Sequence, residues 1–367
     1  RLPMAMAARD AGYSVHVATN VNKHGAEIEA LGFRLHRLSW QRGSLNPRRL
    51  LSIIREIRYL YRTYSPDIVH HVALQPTIIG SVAAWRMPFI RVNALAGLGY
   101  GFSSRSLKAR ILRPALTFLL RILLRGPRAV VLVQNPDDRM VVLHLGVVAD
   151  RVSVIPGSGV DVHKFQPQPE PAGAVTVAFV GRLLVDKGIR TLIAAHQLLK
   201  QSGEIIELII AGDRDPGNPA SVSTAEIEGW KDNDAIQVLG NVSEIEKVWA
   251  RSHIAVLPSW REGLPKSLLE AAACGRPIVA TDVPGCREIA RQNINALLVP
   301  VENPRALAAA IRRLAHDSEL RRRLGAAGRQ LAEREFSNAR IGQEIVALYD
   351  RLVRRQGVLL PAPTQQA

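Results

Sequence analysis

The sequence predicts an α/β protein built from two doubly wound domains. Strand-like apolar runs alternate with helix-length amphipathic segments almost from end to end, the pattern of parallel sheets covered on both faces. The 367 residues suit two cores of ordinary size better than one. Between them, Phe165 to Gly173 breaks both periodicities with three prolines and reads as a linker.

In chain order, Pro3 to Asp10 reads as a helix. Strands follow at Ser14 to Thr19, Arg34 to Leu38, Ile68 to His71, Ile90 to Ala94, Ala129 to Val133 and Val152 to Ile155. Helices fill the gaps, notably Arg48 to Tyr64 and Pro136 to Leu145. A doubly wound domain opens with a strand and a glycine turn, so a first strand ahead of Arg1 is expected to be missing from this chain. The second half gives strands at Val175 to Val180, Glu207 to Ala211, Ile236 to Leu239, Ile254 to Leu257, Pro277 to Thr281 and Ala296 to Val299. Long helices follow through Tyr349. The expected boundaries are 1–164, a linker at 165–173, 174–335, a last helix at 336–355 and a flexible tail at 356–367.

Hydrophobic residues at 47% and charged residues at 22% are a globular balance, which excludes large-scale disorder. The two cysteines, Cys274 and Cys286, have no metal-type spacing and no others to pair with, and a reduced, cytoplasmic compartment fits. No apolar run reaches the ~18–20 residues of a membrane span, and no secretory signal is evident. The net charge of +16 is uneven: residues 1–172 hold 23 Lys and Arg against 10 Asp and Glu, and the remainder 25 against 22. A one-sided positive field points to an anionic partner, whether nucleic acid, membrane surface or phosphorylated substrate, or is a solvated basic face that serves solubility alone. Nucleic acid is disfavoured by the 5% aromatic content and the lack of a binding motif.

Two segments carry chemistry. The first, Val180-Gly181-Arg182-Leu183-Leu184-Val185-Asp186-Lys187-Gly188, joins a strand to a helix at the edge of the sheet where ligands sit. Arg182 offers a forked donor to phosphate oxygens, Lys187 adds a point charge, and Gly181 and Gly188 let backbone approach an anion. The second runs from Pro258 through Glu262, Gly263, Leu264 and Pro265 to Glu270, again between strand and helix. Pro265 suits a first helical turn, so amides near Gly263 and Leu264 could meet an anion at the helix N-terminus. Glu270, more than a turn inside, is suited to accept from the two hydroxyls of a ribose. Glu262 could orient sugar hydroxyls or the phosphate end. Spacing alone leaves open two surface glutamates. Taken together the segments point to a nucleoside diphosphate ligand.

Here the sequence resembles family 4 of the retaining glycosyltransferases. The Gly-Arg-Leu-x-x-x-Lys-Gly loop carries the likeness, with the Glu-x7-Glu segment running into Leu-Glu-Ala-Ala-Ala-Cys-Gly-Arg-Pro and with Thr281-Asp282-Val283-Pro284-Gly285. Pro66 to His71 with Gln75-Pro76, Gly97-Leu98-Gly99-Tyr100-Gly101-Phe102, Gln134 to Asp138 and Gly157 to Asp161 are similar to a bacterial branch that extends polyprenyl-diphosphate-linked glycans. The resemblance implies a GT-B fold, two Rossmann-like domains facing each other across a cleft, with a last helix crossing back to the first domain. It implies no metal or other cofactor, a nucleotide-sugar donor, commonly a UDP-sugar, and a lipid-linked saccharide acceptor. By motif, Arg182 and Lys187 would neutralise the donor diphosphate, Glu262 would contact the sugar or phosphate, and Glu270 would hold the ribose. Gly97 and Gly99 would line the acceptor cleft. The histidine many relatives carry after the Val92 to Gly97 strand is absent, and His71, in the loop following the preceding strand, is the substitute candidate for lining the acceptor cleft. Retention by front-face attack is likewise what the family implies. A UDP-sugar 2-epimerase-like isomerase of the same fold is the alternative.

Residues 105–128 contain Arg105, Lys108, Arg110, Arg113, Arg121, Arg125 and Arg128 and no acid. Five of the arginines fall within one ~120° sector of a helix, with Pro114 as a potential kink and Leu112, Ala115, Leu116, Leu119, Ile122 and Leu123 away from much of it. Such a segment suits an anionic membrane surface, on the inner face of the plasma membrane. The same spacing also fits a helix packed on its own domain with its arginines in water.

Overall fold

The computed structural model describes residues 1–21, 24–40, 46–95 and 107–355, the side chains of 107–112 excepted. It divides into two compact units, Arg1–Ser158 with Ile341 onward, and Gly159–Arg340.

The first unit runs α1 (Leu2–Asp10), β1 (His16–Thr19), α2 (Gly25–Ala30), β2 (Arg34–Arg37), α3 (Pro47–Tyr64), β3 (Ile68–Val72), α4 (Leu74–Ala83), β4 (Ile90–Leu95), α5 (Leu107–Leu124), β5 (Ala129–Val133), α6 (Pro136–His144) and β6 (Val152–Val154). Every strand pairing is parallel, in a two-stranded sheet β1-β2 and a four-stranded sheet β3-β4-β5-β6. No strand among the described residues joins the two sheets. Local chemistry sets the elements. Asn46 caps α3 by accepting from the amides of Arg48 and Arg49, Pro47 fills its first turn, and Ile53 and Ile57 bury one stripe against α4. β4 and β5 are buried along their whole length, as strands covered on both faces must be.

The second unit runs β7 (Val175–Val180), α7 (Ile189–Gln201), β8 (Ile206–Ala211), α8 (Thr224–Lys231), β9 (Ile236–Gly240), α9 (Ile245–Ala250), β10 (Ile254–Leu257), α10 (Lys266–Ala273), β11 (Ile278–Thr281), α11 (Cys286–Ile289), β12 (Ala296–Val299), α12 (Pro304–His316) and α13 (Ser318–Glu335). Its six parallel strands lie in the order β12-β11-β10-β7-β8-β9. The order reverses between β7 and β10. Such a reversal leaves a crevice at the carboxyl ends of the two strands, because their following loops turn to opposite faces of the sheet.

A last helix, α14 (Asn338–Arg354), spans the boundary between the units and from Ile341 belongs to the first. Ile341, Ile345, Leu348 and Leu352 form one buried stripe, packed with Met4, Ile90, Val92 and Leu132 in that unit's core.

The boundary differs from the expected 164/165. Val160 bridges to Ser337, and its amide donates to the Phe336 carbonyl at 2.8 Å. Phe165 is buried in the second unit's core. Arg329 binds the carbonyls of Val162 and Phe165, while Arg321 pairs with Glu170 at 2.8 Å. The prolines thus end regular structure without freeing the chain. The true crossover lies at Gly157-Ser158-Gly159, both glycines having positive φ. A Cβ on Gly159 would stand 2.9 Å from the Cα of Asn338, at the return crossing. The tail from 356 lies outside the described residues.

Candidate active site

Three loops of the second unit interlock at the reversal point of its sheet. After β7, the chain leaves Gly181, anchors the Leu183 amide on the Asp213 carbonyl at 2.9 Å, and turns through Val185–Lys187 into α7. Gly188 ends the turn at φ 73, where a Cβ would overlap the Pro258 carbonyl oxygen of the loop after β10. That contact sets the two loops against each other. The Trp260 amide donates to the Asp186 carbonyl at 2.9 Å, and the Glu262 amide to Pro284 of the loop after β11 at 3.3 Å. The Thr281 hydroxyl donates to the Ser259 carbonyl.

Within this frame Lys187 Nζ lies 2.5 Å from Glu262 Oε1, and the Ser259 hydroxyl donates to the same oxygen at 2.7 Å. The Glu262 side chain is only 9% exposed, so its carboxylate is fixed by the pair of donors, and it in turn fixes the ammonium. Asp186 stands beside them, its pKa raised chiefly by burial and further by Glu262, against Lys187 and Arg182. Arg182 reaches outward to Asp215, 2.5 Å away, with 46% of its side chain in water. A half-exposed ion pair of this kind contributes little stability.

α10 begins at Lys266 with Pro265 as its cap residue, one position earlier in the frame than a proline inside the first turn. No side chain caps the helix, so the first-turn amides of Lys266 and Ser267 stand at its start, beyond Gly263 and Leu264. Glu270 lies in the second turn, buried, 3.3 Å from Lys266 Nζ. Burial raises its pKa, opposed by Lys266 and Lys164 and assisted by Glu246. Beside these loops a cavity of about 560 Å³ opens between Asp213, Arg214, Thr224, Lys231, Leu239 and Gly240.

The acceptor-side expectations fare differently. His71 lies within β3 and not in a loop, and it is buried. Its Nδ1 donates to Asn93 Oδ1 at 2.8 Å, and its Nε2 accepts from the Tyr61 hydroxyl at 2.8 Å. Burial lowers its pKa to about 4. Both nitrogens are committed to a neutral, internal network completed by Ser81 on Asn93, so His71 has no proton site left for an acceptor. Gly97 and Gly99 lie outside the described residues, as do Arg105 and the side chains of Lys108 and Arg110.

In α5, Pro114 is carried without interrupting the helix. Leu120, Leu123 and Leu124 form the buried stripe. Phe118 (67% exposed) and Ile122 (43%) therefore share the outer face with Arg121 and Arg125. Missed in the sequence were Ser259, Asp186 and Asp215 as partners. Of these only Asp186, adjacent to Lys187, gave a signal.

Among the described residues no three His, Cys, Asp or Glu side chains gather as a metal site, and no helix is long and apolar enough to cross a membrane. The family model "Glycosyl transferase 4-like" matches residues 2–135, and "Glycosyl transferases group 1" matches residues 174–317. Fold and matches together define a glycosyltransferase of GT-B architecture. Among its relatives, the chain is 27% identical to the N,N'-diacetylbacillosaminyl-diphospho-undecaprenol alpha-1,3-N-acetylgalactosaminyltransferase of Campylobacter jejuni, over 96% of this chain and 95% of that one. It is 26% identical to the capsular polysaccharide biosynthesis glycosyltransferase CapM of Staphylococcus aureus, over 48% and 46%. Sucrose-phosphate synthase of Thermosynechococcus elongatus superposes with a TM-score of 0.82 at 24% identity, covering 96% of this chain and 92% of the other. HepE of Anabaena, solved with UDP and glucose, gives 0.75 at 17%, covering 95% of each. At these identities the structural likeness is one of fold.

Proposed function

We propose that the chain transfers a sugar, hexosyl or N-acetylhexosaminyl, from a UDP-sugar to a polyprenyl-diphosphate-linked saccharide with retention of configuration, in cell-surface glycan assembly. The observation that carries this reading is the meeting of Lys187, Glu262 and Ser259 at the reversal point, with Arg182 and the uncapped start of α10 beside them. The Campylobacter relative, named for a lipid-linked acceptor and similar along nearly the whole chain, supports the acceptor class.

In this mechanism the bond from the sugar's anomeric carbon to the phosphate oxygen breaks, and its electron pair passes to the diphosphate. Arg182, Lys187 and the first-turn amides of α10 stabilise that charge where it develops. The acceptor hydroxyl attacks from the same face and its proton passes to the leaving phosphate. Glu270 accepts from the ribose hydroxyls, and Glu262 aims Lys187. The cations are proposed to do this without a divalent metal, so chelation with EDTA is expected to leave the rate unchanged. The test is release of nucleoside diphosphate from a panel of nucleotide sugars, with and without a polyprenyl-diphosphate-saccharide. Acceptor-dependent release that collapses in Glu270→Ala supports the reading. Conversion of the donor to an isomer with no acceptor present overturns it in favour of an epimerase.

The reading extends to peripheral attachment at the inner face of the plasma membrane, supported by the outer face of α5, where Phe118 and Ile122 would enter the interface and Arg121 and Arg125 meet anionic headgroups. Reversing both charges in Arg121→Glu/Arg125→Glu is expected to weaken binding to phosphatidylserine vesicles at least about tenfold, at about 1 kcal/mol per basic residue. Vesicle sedimentation indifferent to these charges and to salt would remove the membrane from the proposal.

A further inference from the structure

Arg182 and Asp215 meet because the loops that carry them, after β7 and after β8, are laced together. The Leu183 amide donates to the Asp213 carbonyl at 2.9 Å, the Val185 amide to Ala220 at 2.8 Å, and the Val222 amide back to Leu183 at 3.1 Å. Leu184 and Ser221 form an antiparallel bridge within this short ladder. The stretch between its ends is tied as well. The Asp215 amide donates to the Ser221 hydroxyl at 3.1 Å, the Asn218 amide to the Asp215 carbonyl at 2.8 Å, and Arg214 Nε to the Val222 carbonyl at 3.0 Å. Asp215 therefore has a backbone fixed against the Arg182 loop, and its carboxylate meets the guanidinium from a set position.

Where that carboxylate lands matters chemically. Asp215 Oδ2 takes Nη1, 2.5 Å away, and among the described residues this is the one hydrogen bond of the Arg182 side chain. The N–H groups of Nε and Nη2 run parallel along the other edge of a guanidinium, as the fork that grips two oxygens of a phosphate or carboxylate. Asp215 leaves that edge uncovered. With 46% of its side chain in water, Arg182 has few packing contacts to order it, and a long side chain that must be ordered at the moment of binding takes affinity from the ligand.

We propose that Asp215 is a positioning residue for Arg182: it holds the guanidinium by Nη1 and so presents the edge formed by Nε and Nη2, already ordered, to the donor diphosphate. The proposal rests on the reading of Arg182 as a ligand of that diphosphate. What the ion pair lacks in stability it supplies as orientation. The charge of Asp215 itself works against an incoming anion, so orientation and charge act with opposite signs, and two substitutions separate them. Asp215→Asn keeps an oxygen that accepts from Nη1 and removes the charge, whereas Asp215→Ala removes both.

The test is calorimetric titration of the whole chain with UDP. Asp215→Ala is expected to weaken binding about three- to tenfold, the cost of ordering one arginine on the ligand. Asp215→Asn is expected to bind at least as tightly as the parent chain. In an Arg182→Ala background, Asp215→Ala should bring no further loss, because the group it orients has gone. Damage to the loop would instead weaken binding equally with and without Arg182, and that result overturns the role of Asp215. Equal or tighter binding by Asp215→Ala makes it a competitor of the donor and likewise overturns the proposal. Unchanged affinity in Arg182→Ala would remove the diphosphate reading of Arg182 itself, and this proposal with it.

Discussion

Lys187→Ala is expected to lower kcat/KM for the donor by about two to three orders of magnitude, about 3–4 kcal/mol of transition-state stabilisation. The diphosphate gains negative charge as its bond to the sugar breaks, so the loss falls mainly on kcat. The ammonium also neutralises a confined pair of acids. Glu262, 2.5 Å away and 9% exposed, and Asp186 beside it would lose their nearest cation. Stability should therefore fall as well, by roughly 1–3 kcal/mol for a buried carboxylate that loses its cation and keeps only the Ser259 hydroxyl. The two effects separate in Lys187→Met/Glu262→Gln, which removes both charges. Thermal unfolding should recover there while turnover stays low. A drop in kcat/KM of less than about threefold would take Lys187 out of the chemistry.

Gly188→Ala is expected to be among the most damaging small changes in the second unit. At φ 73 an alanine is strained by about 1–2 kcal/mol, and its Cβ would overlap a backbone oxygen of Pro258, which cannot swing aside as a side chain can. The loops after β7 and β10 must part, carrying Lys187 away from Glu262. A total cost of at least about 3 kcal/mol and loss of nucleotide binding should result. Gly203 supplies the control: its φ is 81, yet nothing lies within 4 Å of a Cβ there. Gly203→Ala should cost only the strain, about 1–2 kcal/mol. Equal costs in denaturant unfolding would show that the close approach to Pro258 does not matter.

The strands were legible because a parallel strand buried on both faces is a short apolar run, as in Ala129 to Val133, and such runs need no knowledge of their partners. The meeting of the loops after β7 and β10 was legible for a related reason. Once Arg182 and Glu262 were placed after strands of one sheet, topology put them on one edge. What escaped depends on pairings between distant residues. Tyr61 and Asn93 close on His71 from α3 and β4, and no spacing announces that a histidine has both nitrogens occupied. The linker was misread because prolines report the end of regular structure and not the end of packing. Phe165, in the first position of that stretch, is in fact core. Asp215 gave no local sign, since it matters only through a cation more than 30 residues away in the chain.

The stripe that α14 lays into the first unit bears on how the protein is born. Residues Ile341 to Leu352 complete a core whose other members, Met4 through Ile155, leave the ribosome long before them. During synthesis the residues that pack against this stripe emerge before it, while the second unit is complete in sequence at Arg340. A nascent chain halted anywhere short of Ile341 would hold an open N-terminal half, a natural client for holding chaperones until the final helix arrives.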